Sequence, residues 1–453
     1  MAGRTTPTRT ASTRTASTRT ASTRTASTRT APLRTAPGRT RAVLALTTAA
    51  ALAVTGLTTL TGAAYATTGS STASTTASTA TATTTDSGSP GGVGHRATRR
   101  ALEEEVRSSG LPGGLVVARQ DGHTWAGAAG LGDLRTGEKR SAEDRFRAGS
   151  ITKTFVATVL LQLEAEGRLD LDDPVEHWLP GLVRGHGHDG RTVTVRQLLN
   201  HTSGIFNYTE DEEFGRQILG RGFLRHRYDT WKPEQLVAAA MRNEPYFAPG
   251  AGLHYSNTNY ILAGLVIEKA TGRPYAKEAE RRILRPLGLD ATEFPGTRTG
   301  MPEPSARAYS KLSEPGTPPD PAGRTYDVTR LNPSWGGSAG EIVTDARDLT
   351  DFYRALLSGR LLPPRQLAAM TDTIAVPELP GAGYGLGLMR VRLSCGTEVW
   401  GHDGGIHGSG SVAVSTRDGR HQLALNFNGD WAGDAMKVTE AEFCGDGRQD
   451  PRP

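Results

Sequence analysis

Cysteine is scarce in this chain, which has only two among its 453 residues, Cys395 and Cys444. No cluster of histidine and cysteine has the spacing of metal ligands, so the sequence predicts neither a metal site nor another bound cofactor. In an exported chain, two cysteines are expected to form one disulfide. Two buried free thiols are the alternative interpretation.

Acidic residues are absent from residues 1–66, where nine arginines occur, eight of them at a five-residue period from Arg4 to Arg39. An Ala-rich apolar run follows the arginines, and small residues end it at Ala64–Ala66. A basic segment, an apolar segment and a small-x-small cleavage site predict a secretory signal over residues 1–66. We therefore expect a secreted protein on the cell-wall side of the membrane, with no stable membrane anchor after cleavage.

The charge balance depends on this segment. The whole chain has a formal net charge of +5, from 52 Lys and Arg against 47 Asp and Glu. Without residues 1–66 the chain is slightly acidic. Because the arginine repeat abuts the export signal, we interpret it as part of that signal rather than as a nucleic-acid-binding region. We expect no nucleic-acid partner.

Large apolar side chains are almost absent from residues 67–95, which are rich in Thr, Ser, Ala and Gly. Such a segment cannot bury enough surface to offset its loss of conformational entropy, so we predict a disordered linker. A folded domain is predicted over residues 96–445, with a mainly helical lobe at about 173–329, and a short tail over 446–453. We expect a monomer whose two lobes share a cleft.

The hydrophobic pattern of the folded region predicts an α+β fold. Runs rich in strand-forming residues turn at Asp121-Gly122 and at Asp418-Gly419, which is typical of β-hairpins. The run ITKTFVATVLLQLEAEGRL predicts a long buried helix, and DAMKVTEAEFC predicts a C-terminal helix. We expect the N- and C-terminal strands to join one antiparallel sheet flanked by helices, with the helical lobe inserted between them.

A serine nucleophile is indicated by the sequence SITK at Ser150–Lys153, where the long helix begins. A hydroxyl at a helix N-terminus lies near unpaired N–H groups that can bind a developing oxyanion. Lys153 lies one turn further along on the same face, and as a neutral amine it could accept the Ser150 proton. The alternative is a helix-capping serine followed by a surface lysine.

Two further segments could complete such a site. Tyr255, in the sequence YSN, could exchange protons with Lys153, and Asn257 could donate its amide to a substrate carbonyl. In the sequence HDGG, glycines allow close backbone approach, and the Gly405 N–H could be an oxyanion donor. A buried loop tyrosine and an ordinary strand-end histidine, His402, are the alternatives.

These three segments resemble the motifs of the penicillin-recognising serine hydrolases, as do LLNHTSGI at Leu198–Ile205, GSAGEIVTDARDL at Gly337–Leu349 and YGLGL at Tyr384–Leu388. The resemblance covers about residues 102–444. It is strongest to the branch that contains class C β-lactamases and serine D-alanyl-D-alanine carboxypeptidases, above all the secreted actinomycete ones. It implies a β-lactamase/transpeptidase-like fold, covalent acyl transfer without a cofactor, and a disulfide between Cys395 and Cys444.

The resemblance also implies a role for each matching residue. Ser150 would be the acylated nucleophile, Lys153 and Tyr255 the proton-transfer pair, and the N–H groups of Ser150 and Gly405 the oxyanion hole. The resemblance implies substrate contacts from Asn257, Trp335 and His402, and we expect Arg390, Asp403 and Gly404 as further candidates beside them. The substrate would be the D-Ala-D-Ala end of a peptidoglycan peptide or a related small D-amino-acid compound, and β-lactams would be inhibitors or substrates.

Two positions depart from the carboxypeptidase pattern where the substrate carboxylate should bind. Asp403 replaces a usual threonine, and Met389 replaces the expected arginine, while Arg390 beside it would face the other side of a regular strand. We predict a secreted D-Ala-D-Ala carboxypeptidase. The alternatives are a serine esterase or D-amino-acid amidase or peptidase of the same fold, a class C-type β-lactamase, and a penicillin-binding module without turnover. His402 is expected to make activity depend on pH between about 5 and 8.

Overall fold

The computed structural model describes residues 95–313, 317, 320, 322–377 and 379–445. The predicted signal over 1–66, the predicted linker up to residue 94 and the predicted tail over 446–453 lie outside the described residues. Among the described residues, the first helix begins at His95.

An eight-stranded antiparallel sheet forms the centre of the described region. In chain order its strands are β1 (Gly113–Gln120), β2 (His123–Gly130), β3 (Ile374–Ala375), β4 (Ala382–Tyr384), β5 (Met389–Arg392), β6 (Glu398–Ile406), β7 (Ser409–Thr416) and β8 (His421–Phe427). Across the sheet their order is β2-β1-β8-β7-β6-β5-β4-β3. Strand β1 pairs with β8 from Gly114↔Phe427 to Gln120↔His421. The predicted joining of N- and C-terminal strands in one sheet is therefore confirmed.

Both predicted hairpins are present. Strands β1 and β2 meet across Asp121 and Gly122, whose φ angles of 48° and 89° are those of a tight two-residue turn. Strands β7 and β8 join through the turn that contains Gly419, with φ of 69°. Each turn lies at the end of the sheet opposite to the end of β6 that carries Gly404 and Gly405.

Five longer helices and several short ones surround the sheet. The longer ones are α1 (His95–Ser108), α2 (Thr152–Ala165), α3 (Asn257–Thr271), α4 (Ala346–Leu357) and α5 (Ala435–Cys444). The shorter ones are Val175–Trp178, Val195–Leu199, Glu212–Ile218, Phe223–His226, Pro233–Met241, Tyr275–Ala279, Arg285–Leu287, Gly337–Gly340 and Pro364–Met370. Three two-stranded ribbons pair Phe146–Arg147 with Val343–Thr344, Arg184–Gly185 with His188–Asp189, and Tyr309–Ser310 with Tyr326–Asp327.

The pleat of the sheet separates two apolar clusters. Leu115 and Val117 face the cluster that contains α2 and α4, whereas Val116 between them faces the cluster that contains α1 and α5. Helix α2 is buried on all sides from Thr152 to Leu161, so it is a core helix rather than a surface one. Its Phe155 stacks on Phe352 of α4 with ring centroids 3.8 Å apart. This packing holds the first turn of α2 against α4.

The two cysteines are bonded to each other. The Cys395–Cys444 disulfide has an S–S distance of 2.02 Å and spans a sequence separation of 49 residues, which confirms the predicted pairing. It ties the turn between β5 and β6 to the last residue of α5. In the described part of the chain, no helix is both long enough and apolar enough to cross a bilayer.

Candidate active site

Ser150 lies in a single 3₁₀ turn, Gly149–Ile151, that leads directly into α2. Gly149 has a φ of +54°, and a Cβ placed on it would stand 2.7 Å from the Gly405 carbonyl oxygen. Only glycine therefore fits at this position, because a side chain would meet both backbone strain and the neighbouring strand. The turn holds Ser150 at a helix start, in contact with β6.

The end of β6 passes close to this turn. A Cβ on Gly404 would stand 1.9 Å from the Ala148 carbonyl oxygen and 3.1 Å from the Ser150 nitrogen. Pairing of β5 with β6 runs from Arg392↔Glu398 to Met389↔Gly401, so residues 402–406 extend past the end of β5. The structure thus brings together the backbone of Ser150 and Gly405, the two predicted oxyanion donors, at an edge of the sheet where a substrate strand could lie.

Lys153 is fully buried and makes three polar contacts. Its Nζ lies 2.9 Å from Ser150 Oγ, 2.7 Å from Asn257 Oδ1 and 2.7 Å from the Ala339 carbonyl oxygen. Burial lowers the pKa of Lys153 well below its usual value of 10.5, and the charge of Asp403 opposes this shift. A neutral amine has two N–H groups and one lone pair. Because the two carbonyl oxygens can only accept, the lone pair is left for the Ser150 hydroxyl proton.

Tyr255 lies next to both Ser150 and Lys153. Its hydroxyl hydrogen-bonds the Ser150 side chain, and its ring centroid is 4.8 Å from Lys153 Nζ. Burial raises the pKa of Tyr255 well above its usual value, the charge of Asp403 adds to the shift, and the hydrogen bond to Ser150 opposes it. The phenol is therefore neutral. Ser150 thus has two neutral neighbours, Lys153 as a base and Tyr255 as an acid.

Asn257 begins α3, and its side chain is held from both ends. Its Oδ1 accepts from Lys153, its Nδ2 donates to Thr209 Oγ1 at 3.3 Å, and its backbone N–H donates to Asn207 Oδ1 at 3.1 Å. The predicted contact with a substrate carbonyl would need the second N–H of the amide. The contacts present make Asn257 a residue that positions Lys153.

Asp403 is exposed at the edge of the cleft. Its side chain is 49 % exposed, and Oδ1 lies 3.5 Å from His402 Nδ1. Its charge acts on Lys153 and Tyr255, so it is close to the reacting groups. Among the described residues, neither Lys nor Arg forms an ion pair with it. The cleft therefore carries an uncompensated negative charge beside the oxyanion strand.

Arg390 does not reach this part of the cleft, which corrects its predicted role in binding a substrate carboxylate. It lies opposite Trp400 in regular pairing, and its Nη1 donates to Glu398 Oε1 at 3.2 Å. Glu398 is four residues before His402 on β6, roughly 13 Å along a strand. Met389, opposite Gly401, is apolar and offers no charge in its place.

His402 was predicted to contact the substrate, but the structure buries its side chain. Its side chain has no exposed surface, so it lies beneath the edge of the cleft rather than in it. Burial lowers the pKa of His402 below 6.5, Asp403 opposes the shift, and Lys153 adds to it. Burial therefore favours the neutral imidazole and moves any charge change of His402 to lower pH than that of a free histidine, so the predicted dependence of activity on pH between about 5 and 8 stays a prediction.

Trp335 and three residues without a predicted role complete the surroundings. The Trp335 carbonyl accepts from Tyr208 Oη at 2.6 Å, and its ring meets His407 edge-on at 5.6 Å. The three residues without a predicted role, Ala339, His201 and Tyr384, lie within the longer sequence motifs. The first binds Lys153, and the other two form buried hydrogen bonds beside His402. For His201 and Tyr384, the motifs LLNHTSGI and YGLGL in which they lie were the one signal available from the sequence.

In the described part of the chain, no three His, Cys, Asp or Glu side chains are grouped so that they could hold a metal ion. The arrangement instead provides a nucleophile, a neutral amine, a neutral phenol and two backbone N–H groups. These are the parts required for covalent acyl transfer.

The comparisons with known proteins agree with this arrangement. The family model described as Beta-lactamase matches residues 98–441. A D-stereospecific amidohydrolase from Streptomyces sp. superposes with a TM-score of 0.73 and 62% identity, covering 78% of this chain and 99% of that one. The D-amino acid amidase from Ochrobactrum anthropi SV3 gives a TM-score of 0.65 and 30% identity, covering 75% and 93%. Penicillin-binding protein 4 of Amycolatopsis lactamdurans is 28% identical over 334 residues, covering 68% of this chain and 81% of that one.

Fold and site together define a serine hydrolase with the β-lactamase/transpeptidase-like fold. Within that class, the chain belongs to the Beta-lactamase family. A penicillin-binding protein and a D-amino acid amidase are among the proteins that it resembles. The predicted resemblance to the penicillin-recognising serine hydrolases is thereby confirmed.

Proposed function

We propose that this protein hydrolyses amides of D-amino acids whose leaving group has no free carboxylate, through an acyl-enzyme on Ser150. The observation that carries this proposal is the contact of the buried Lys153 Nζ with Ser150 Oγ at 2.9 Å. With its two N–H groups bound to carbonyl oxygens, the neutral amine directs its lone pair at the nucleophile.

Each step then has a residue that can perform it. Ser150 Oγ attacks the substrate carbonyl carbon while its proton passes to Lys153, and the oxyanion is held by the N–H groups of Ser150 and Gly405. As the C–N bond breaks, Tyr255 donates its proton to the leaving amine and regains one from Lys153. In deacylation a water attacks the ester carbon, its proton passes to the Lys153–Tyr255 pair, and Ser150 Oγ leaves with that proton.

The substrate class is argued from charge. A carboxylate on the leaving group would lie near Asp403, and like charges 4 Å apart repel by between about 1 kcal/mol in water and about 4 kcal/mol at a protein surface. Arg390, which was predicted to contact the substrate, is paired with Glu398. An uncharged amide leaving group avoids the repulsion. The D configuration is proposed by analogy with the Streptomyces amidohydrolase and the Ochrobactrum amidase.

A D-Ala-D-Ala carboxypeptidase is the second candidate, because a penicillin-binding protein is among the relatives. A β-lactam would acylate Ser150 in either case. Secretion to the cell-wall side of the membrane also remains a proposal, and it depends on the signal predicted over residues 1–66.

Hydrolysis of D- and L-phenylalaninamide, D-phenylalanine methyl ester and diacetyl-lysyl-D-Ala-D-Ala by the same preparation tests the proposal. We expect the D-amide to be the preferred amide substrate and Ser150→Ala to abolish its hydrolysis. Faster release of D-alanine from the peptide would favour the carboxypeptidase, and cleavage of the ester alone would favour an esterase.

Asp403→Asn tests the charge argument directly. Removing the carboxylate should raise kcat/KM for the peptide about tenfold, the equivalent of about 1.4 kcal/mol, and should change D-amide hydrolysis little. Asp121→Asn is the matched control, because Asp121 is an exposed carboxylate at the opposite end of the sheet. An unchanged ratio of peptide to amide turnover in Asp403→Asn would contradict the proposed role of this charge.

A further inference from the structure

A chain of three buried side chains lies beside the proposed catalytic groups without taking part in the steps above. His201 Nε2 is 3.2 Å from Tyr384 Oη, and Tyr384 Oη is 2.9 Å from His402 Nε2. His201 and His402 are 0 % and 2 % exposed, and Tyr384 is 2 % exposed. The rings of His201 and Tyr255 are 4.3 Å apart, so the chain packs directly against the proposed acid.

The contacts of His201 determine which of its ring nitrogens carries the proton. His201 Nδ1 lies 3.2 Å from the Ser256 backbone nitrogen and 3.1 Å from Asn259 Nδ2. The backbone N–H can only donate, and the Asn259 oxygen is already the acceptor for Ser203 Oγ at 2.7 Å, which leaves its Nδ2 as a donor. His201 Nδ1 therefore accepts, and a neutral His201 carries its proton on Nε2, from which it donates to Tyr384.

The contacts of His402 determine its tautomer independently of His201. His402 Nδ1 lies 2.5 Å from the Asp403 carbonyl oxygen, which can only accept. A neutral His402 therefore carries its proton on Nδ1, and its Nε2 needs a donor. The Tyr384 hydroxyl is the group within reach. The Tyr384 hydroxyl also contacts Tyr260, whose own hydroxyl donates to the Leu199 carbonyl oxygen at 2.8 Å. The two ends agree on one arrangement, in which Tyr384 accepts from His201 and donates to His402 rather than to Tyr260.

We propose that Tyr384 is a positioning residue that holds His402 as the neutral Nδ1–H tautomer, so that His402 binds the Asp403 carbonyl and fixes the oxyanion strand instead of contacting substrate. The peptide that receives this hydrogen bond joins Asp403 to Gly404. It is adjacent to the peptide whose N–H is the proposed oxyanion donor at Gly405. A change in the His402 tautomer would therefore move that donor.

The groups around His402 favour its neutral form. Lys153 of α2 and His201 would repel a charged imidazole, Asp403 on the same strand would attract it, and the neighbouring phenols of Tyr255 and Tyr384 are neutral. The Tyr384 hydroxyl adds to the neutral side because it donates into Nε2, the nitrogen that protonation would occupy. Removing that hydroxyl should make His402 easier to protonate.

The first test needs no substrate, so its outcome is independent of the proposed function. In protein labelled with ¹⁵N-histidine, ring ¹⁵N–¹H correlations report the tautomer of each imidazole, and His402→Gln identifies the His402 signals by their loss. We expect Nδ1–H for His402 and Nε2–H for His201 at pH 7. An Nε2–H tautomer or a charged ring for His402 at that pH would overturn the inference.

Tyr384→Phe supplies the second test. The midpoint of the His402 ¹⁵N titration should move to higher pH, and Ser150 acylation should slow by on the order of tenfold, the effect of leaving one buried polar group unpaired. Tyr353→Phe is the matched control. It removes another buried tyrosine hydroxyl, bonded to Thr154 Oγ1 at 3.0 Å and outside the chain of three, so it should leave the His402 titration unchanged. Equal titration midpoints in wild type and Tyr384→Phe, or equal shifts in both variants, would refute the positioning role.

Discussion

Lys153→Met is the most direct perturbation of the proposed chemistry, because it removes the amine and keeps a side chain of similar length. The variant should lose acylation of Ser150 by a factor of about 10² to 10⁴, the contribution expected of a general base. It also tests whether the amine is neutral in the folded protein. That second test is independent of any substrate and can be worked out from the burial of the side chain.

The direction of the pKa shift of Lys153 determines whether the free energy of unfolding rises or falls with pH. Burial lowers the pKa of Lys153 in the folded state well below the unfolded value of 10.5. Between these two values the unfolded chain binds one more proton than the folded one, so the free energy of unfolding rises with pH. The rise is about 1.4 kcal/mol per pH unit and ends near pH 10.5. Lys153→Met lacks this contribution. The free energy of unfolding of the wild type should therefore increase relative to that of the variant as the pH increases.

Urea unfolding of both proteins at pH 7, 8 and 9 measures this difference. We expect the wild-type advantage to grow from pH 7 to pH 9, with a limiting slope of about 1.4 kcal/mol per pH unit once the pH is above the folded-state pKa of Lys153. Lys277→Met, at a lysine whose side chain is 69% exposed, controls for removal of a surface charge. A difference that stays constant with pH would mean that Lys153 is charged in the fold, and the assignment of Lys153 as the base would fail.

Two further predictions concern the backbone around the nucleophile and the disulfide. Gly404→Ala would place a Cβ 1.9 Å from the Ala148 carbonyl oxygen, whereas a Cβ on Gly405 meets nothing within 4 Å. Hydrolysis should therefore fall at least 10²-fold in Gly404→Ala, the loss of an oxyanion donor, and little in Gly405→Ala. Equal rates in the two alanine variants would contradict this geometry. Replacing Cys395 and Cys444 together by serine should lower the free energy of unfolding by about 4 kcal/mol for a loop of this length, with activity at 25 °C retained. Calorimetry and D-amide hydrolysis check this, and an unchanged melting temperature would contradict it.

The sequence was informative where the chemistry is local. Ser150 and Lys153 lie three residues apart at the start of a helix, so a periodicity of 3.6 residues already brings them together. The hairpin at Asp121-Gly122 needs only two residues that tolerate positive φ. The motif order and the resemblance it carries predicted the fold and the disulfide. They also ranked the carboxypeptidase first, whereas we propose the amidase first.

The remaining features depend on contacts between distant parts of the chain. Arg390 was expected near the substrate, but the pairing of β5 with β6 sets it opposite Trp400, and a register is not encoded by either strand alone. His402 was expected in contact with solvent and substrate, but its side chain on β6 is fully buried, which lowers its pKa. The third partner of Lys153, the Ala339 carbonyl, is 186 residues away. Sequence by itself determined which groups can react, because their chemistry belongs to the residue type. Only the tertiary structure decided which of them are neutral, paired or exposed, because burial and register arise when separate elements pack together.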